Sequence, residues 1–329
     1  MKKSICLSVV VAVLLTGAVV WSQSKATGTP QGALGKSSDL LRSLRMPGPP
    51  AGAKVMNASG MLVKPANATH IYKFATADFP GASYSNATGT ANGLVVGTFA
   101  YSSTSPAQAF TFKGGVYRTL LVPGSIASRA DNVNSLGQIV GTFYDSAENA
   151  HGFVDNAGTF TQVDYPGALY TYVTDMNAAG DMVGTWADTS FIEHGFINQG
   201  GTFTNIDFPG GVLYTNALGI NAADEVVGYF VDYSSAFHGF ILKGGVYTQL
   251  DAPLSTVTVA WGVNDVGEIS GSFRDASNNA HGFLYHQGIF NQVDVPGAFE
   301  TVLYHLPNKG PFAGVFVDQK DETHGLTGH

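Results

Sequence analysis

Five aspartate–histidine pairs of the form D-x5-H are the first places in this chain to look for chemistry: Asp145/His151, Asp188/His194, Asp232/His238, Asp275/His281 and Asp318/His324. A carboxylate and an imidazole at the two ends of a short loop can face each other across a hairpin, where they can orient a base or ligate a metal. Five near-identical copies cannot all be one active site, so the pairs read as structural locks on their loops. A second aspartate column, Asp78, Asp164, Asp207, Asp251 and Asp294, stands before proline-containing turns and takes the same reading. Side chains that differ between copies are the better functional candidates. Tyr84, Tyr170, Tyr172 and Tyr214, together with Arg129, have the chemistry to stack on and hydrogen-bond a sugar or peptide. The plainer reading of those tyrosines is packing between units. Arg129, Asp131, Asp175 and Glu300 are the residues an acid–base reaction would use.

Other chemistries find no motif. The chain has no G-x-S-x-G elbow, no H-E-x-x-H and no EF-hand loop. Its single cysteine, Cys6, lies in the apolar N-terminal run, which excludes an intramolecular disulfide and a thiolate metal site. No cofactor or metal is expected; loop carboxylates can take Ca²⁺, but the pattern does not ask for it. Net charge is −8, and lysines and arginines do not cluster beyond the N-terminal region, which argues against nucleic acid as a partner.

The elements that must position these residues follow from a repeat. The HGF triplet returns at His151, His194, His238 and His281 and as HGL at His324, with a worn copy at Gln108, every 43 or 44 residues. Each copy holds four short segments: an S/T-bearing one (Ser85, Ser128, Thr171, Thr215, Thr258, Thr301), an apolar-x-G-x-aromatic one, the HGF segment, and G-x-F/Y-x-x-V-D-x-P-G. Alternating apolar, glycine and aromatic positions with apolar residues between them predict strands buried on both faces. In the fourth segment Phe160 and Val163 are three apart, and a bulge or an aromatic placed at the turn is expected there. Four strands per unit predict a six-bladed β-propeller of four-stranded blades, its ring closed by an N-terminal strand pairing with the last blade; an open β-solenoid is the alternative. The inner strands would line a central channel, and the longer x-P-G and D-x5-H loops would share the face most suited to binding. Residues 1–26 read as a signal peptide, 27–68 as a Gly/Pro/Ser/Ala linker and 69–329 as the repeat domain.

The HGF triplets, the preceding N-x-x-G-x-x-V-G (134–141, 177–184) and the following V-D-x-P-G resemble the HAF-repeat family of bacterial extracellular proteins. The resemblance covers residues 69–329. It implies secretion and a repeat architecture without specifying an activity. The expected function is an exported, monomeric binding or scaffolding module for extracellular polysaccharide or protein, not inserted in a membrane once the signal peptide is cleaved. A hydrolase or lyase with its acid–base site at the channel mouth and a purely structural surface protein are the alternatives.

Overall fold

The computed structural model describes residues 63–64, 72–210 and 212–329. Within them run β1 (Val63–Lys64), β2 (Phe74–Thr76), β3 (Tyr84–Ala91), β4 (Leu94–Ala100), β5 (Gln108–Lys113) and β6 (Val116–Thr119). Then come β7 (Ala127–Val133), β8 (Ile139–Tyr144), β9 (Ala150–Asn156), β10 (Thr159–Val163), β11 (Thr171–Met176), β12 (Met182–Ala187), β13 (Glu193–Gln199) and β14 (Thr202–Ile206). The chain continues as β15 (Tyr214–Ile220), β16 (Val226–Val231), β17 (Phe237–Lys243), β18 (Val246–Leu250), β19 (Val257–Val263), β20 (Ile269–Arg274), β21 (Ala280–His286) and β22 (Ile289–Val293). It ends with β23 (Glu300–His305), β24 (Phe312–Val317) and β25 (Thr323–Gly328). The expected signal peptide and most of the expected linker lie outside the described residues. Val63 and Lys64, expected within that linker, form a strand parallel to β22.

Three antiparallel sheets, β3–β6, β7–β10 and β11–β14, keep sequence order, and β23–β25 are joined by β2 to make a fourth. The runs β15–β18 and β19–β22 have the same order but merge into one sheet through the single parallel pair Phe237↔Val257. These six runs are repeats 1 to 6 below. The fold is all-β and propeller-like.

The apolar core sits between consecutive repeats. Val96, Ala109, Val133 and Phe153 fill the space between repeats 1 and 2; Val140, Val163, Val173 and Phe196 fill that between 2 and 3. Ala77, Ala87, Val95 and Ala313 pack repeat 6 against repeat 1. Middle strands are therefore covered on both faces, and all of β16 is buried. This double coverage also removes the bulge expected at Phe160. β10 pairs with β9 without a register break. Phe160 and Val163 simply face opposite neighbours, one toward the first of those clusters and the other buried in the second.

The bulges lie elsewhere. The first strand of every repeat slips register against the second, between Ala87/Gly89, Ala130/Asn132, Val173/Asp175, Ala217/Gly219, Ala260/Gly262 and Leu303/His305. The unpaired residues are Thr88, Asp131, Thr174, Leu218, Trp261 and Tyr304. A bulge bends its strand and re-aims one side chain. It also explains the glycine of the apolar-x-G-x-aromatic segment: a Cβ on Gly184 would overlap the carbonyl oxygen of Tyr172.

Candidate functional site

The recurring polar residues hold the scaffold together. The S/T hydroxyls of repeats 1, 3, 4, 5 and 6 accept the N–H of the residue after the turn aspartate, or its equivalent, as Thr171 does from Tyr165 at 2.9 Å. The motif asparagine works between repeats. Asn134 Nδ2 donates to Asn177 O at 3.1 Å, Asn177 to Asn221 O at 3.2 Å and Asn221 to Asn264 O at 3.0 Å. Each of these asparagines also uses Oδ1 to accept two N–H groups of its own turn.

The two aspartate columns meet on the histidines. In each case Nδ1 lies 2.9–3.0 Å from the turn aspartate: Asp164, Asp207, Asp251, Asp294 and Asp78 for His151, His194, His238, His281 and His324. Nε2 lies 3.5–3.9 Å from the loop aspartate of the D-x5-H pair. The loop aspartate caps its own loop as well, Asp145 accepting from the N–H groups of Ala147 and Asn149. Those bonds, led by the Asn149 side chain, pull the Asp145 carboxyl down to about 2. Each imidazole packs on an aromatic of the second strand, His194 on Trp186 at 4.8 Å between centroids. Repeat 1 carries Ser102, Gln108 and Leu121 at the three positions, so the histidine lock is lost there, although Ser102 Oγ still caps its loop by accepting from the N–H groups of Thr104 and Ser105. Among the described residues, one group could offer a metal three ligand atoms, Asp318, Glu322 and His324, within 4.8 Å of one another.

The acid–base candidates fall into separate arrangements. Arg129, 3% exposed, donates from Nε to Asp131 at 3.0 Å and stacks over the ring of Tyr172 at 4.9 Å. Burial pushes Asp131 up to about 6 despite the opposing pull of Arg129. Asp175 accepts from Asn132 Nδ2 at 2.5 Å and from the N–H groups of Met176 and Ile220; burial lifts it to about 6 too. Glu300, in repeat 6, pairs with Arg274 of repeat 5 at 3.1 Å. Of these four, only Arg129 and Asp131 are brought together.

The tyrosines are largely engaged within the protein. Tyr170 donates to Glu193 Oε1 at 2.7 Å and stacks on Tyr172 at 4.9 Å. Tyr214 lies edge-on to buried Tyr229, and Tyr84 is pushed up to about 12 by burial. Glu193 is a centre that sequence reasoning missed. It is 5% exposed, accepts from Tyr170 and Asn216, and burial raises its pKa. Its signal was present: the residue before the triplet is Ala150, Phe237, Ala280 or Thr323 in the other HGF or HGL copies.

Open space lies at the opposite end of the first strands from the expected one. A cavity of about 250 Å³ is lined by the tight turns after β3, β7, β11, β15, β19 and β23, with Asn92, Ser135, Asp265 and Lys309 on its wall. His305, lowered to about 4 by burial, and Thr90 line it too, and Thr90 N donates to His305 Nδ1 at 3.4 Å, from repeat 1 to repeat 6. The turns, three of them regular N-x-x-G (134–137, 177–180, 264–267), gave no sequence hint of this vestibule, because it exists only where the turns of all six repeats converge.

No family model and no curated protein matches the chain. Among solved structures it is similar to TolB from Acinetobacter baumannii, at 11% identity and a TM-score of 0.52, over 72% of this chain and 64% of that one. It is also similar to the fucose-specific lectin from Aleuria aurantia (10% identity, TM-score 0.47, 76% and 96% covered). Virginiamycin B lyase from Staphylococcus aureus gives 10% identity and a TM-score of 0.45, with 78% and 99% covered. Such distant likeness concerns the fold alone.

Proposed function

We propose that the six repeats are the blades of one closed ring, and that the ring is a binding module whose recognition site is the vestibule of its central channel. Closure is supported by β2, which completes the last sheet (Phe74↔Gly328), by the apolar packing of repeat 6 on repeat 1, and by the Thr90–His305 bond. The observation that carries the binding reading is the 250 Å³ cavity lined from all six repeats by non-identical side chains. Its size suits one sugar residue or peptide side chain, and Asn, Ser, Asp and Lys supply both donors and acceptors. The ligand class is an extracellular polysaccharide or protein, met after export as an HAF-repeat protein. Catalysis has little support, since Glu300 and Asp175 are tied into partnerships of their own, away from the Arg129–Asp131 pair.

A second reading places recognition on the longer loops. Tyr101, Leu121, Phe191, Tyr233, Leu254 and Phe299 are all exposed there, and Phe191 holds a left-handed φ of 63°, which is costly for a bulky residue. Glycan and peptide arrays probed with the full chain separate the two. Ala178→Trp and Ala222→Trp narrow the vestibule and should lower binding at least tenfold, leaving Phe191→Ser/Tyr233→Ser unaffected. Loss only in the loop variant would transfer the site to that face, and no binding at all would leave a purely structural protein.

A further inference from the structure

At the register breaks of the first strands, the bulged residues of the six repeats, with Asn86 and Asn132, line a second, smaller cavity of about 40 Å³. Its wall is two-sided. Thr88, Asp131 and Thr174 come from repeats 1–3; Leu218, Trp261 and Tyr304 come from repeats 4–6. Several donors on this wall are spent on other protein groups. Thr88 Oγ1 donates to Ala130 O at 2.6 Å, Thr174 Oγ1 to Ala217 O at 2.9 Å and Trp261 Nε1 to Ser272 Oγ at 3.0 Å. An acceptor is left over: Asn86 lines the cavity, is 3% exposed, and its Oδ1 has no hydrogen-bond partner. A buried acceptor without a donor is costly and asks for an occupant that donates.

We propose that this chamber binds a small cation carrying N–H donors, the chemistry shared by an ammonium ion and the tip of a protonated primary amine. Asn86 Oδ1 and the threonine oxygens accept its protons. Asp131 offers a carboxylate from one wall, and the aromatic side chains of Trp261 and Tyr304 line the other. Arg129, ion-paired with Asp131 Oδ2 at 3.0 Å and lying also against Tyr172 and Thr142, does not line the chamber. Ca²⁺ takes six to eight oxygen ligands, and a wall that is half aromatic and aliphatic does not provide that shell. The site is distinct from the vestibule, whose variants leave the chamber lining intact.

The test is calorimetric titration of the full chain with ammonium chloride and methylammonium chloride at constant ionic strength, against potassium and tetramethylammonium chlorides. Ammonium is expected to bind and the last two are not; binding of methylammonium as well identifies an amine tip, and its exclusion a free ion. Repeats 5 and 6 carry Val259 and Val302 at the Asn86 position, so Asn86→Val is a substitution this scaffold already accommodates. It should weaken ammonium binding at least tenfold without lowering the unfolding midpoint. Trp261→Leu, which installs the residue of repeat 4, should also weaken it and serves if the first variant fails to fold. Ala178→Trp should leave it unchanged, so failure of the vestibule reading and failure of this one are told apart. No ammonium binding to the wild-type chain, or equal binding after Asn86→Val or Trp261→Leu, overturns the proposal.

Discussion

Replacing Asn177 by alanine tests whether the repeats are held together by their asparagine ladder. The side chain is 6% exposed and serves two structures at once. Oδ1 accepts the N–H groups of Ala179 and Asp181, both at 3.0 Å, which closes its own turn. Nδ2 donates to Asn221 O in the next repeat at 3.2 Å and to Asp224 Oδ1 at 3.1 Å. Ala179 is exposed, so water can replace its lost partner at little cost. Asp181 N and the carbonyl of buried Asn221 are less accessible, and each deserted group costs about 1–3 kcal/mol. The expected loss is about 3 kcal/mol, or a fall of about 1 M in the urea midpoint, followed by the fluorescence of Trp186 and Trp261. Asn177→Asp keeps the acceptors but loses the donor and adds a carboxylate beside Asp181 and Asp224. It should be as damaging at neutral pH and recover as the new carboxyl protonates and can donate to Asn221 O. A loss below about 0.5 kcal/mol in Asn177→Ala would show that the ladder is incidental.

Three further outcomes are expected. Gly184→Ala drives a methyl into the carbonyl of Tyr172 and should cost more than about 3 kcal/mol, seen as insolubility or a collapsed midpoint; wild-type stability would refute the close approach. Tyr170→Phe strips Glu193 Oε1 of a buried donor and should cost about 1–3 kcal/mol, whereas a tyrosine serving only a ligand would lose binding at unchanged stability. The acid limb of stability should carry the loop aspartates. Asp145 is held at about 2 against an ordinary 3.8, so its contribution is complete above pH 3.8 and is lost as pH falls through 2. Asp188, Asp232, Asp275 and Asp318 are lowered likewise. Asp131 has the opposite sign: its pKa of about 6 makes acidification from pH 6 to 4 stabilising at that site. Midpoints measured from pH 2 to 7 should fall below pH 4, and Asp145→Asn should flatten that fall.

The sequence by itself determined the repeat period, the four strands per unit and the reason to look at positions where copies differ. Those features are legible because each is a within-repeat pattern, written once and copied. It also supplied the glycine of the second strand and the hydroxyl column, though not their partners. Only the tertiary structure decided that His151 leans on Asp164 more closely than on Asp145, since that bond spans a hairpin rather than a loop. It alone showed that Tyr170 and Asn216, from different repeats, share the buried carboxylate of Glu193. It moved the open cavity from the long-loop end to the turn end, and it aimed Asp131, Trp261 and Tyr304 inward through a bulge that leaves no mark in the letters. The physical reason is the same each time. A side chain that faces the next repeat meets residues about 43 positions away, and what it touches there depends on how successive sheets stack rather than on its neighbours in the chain.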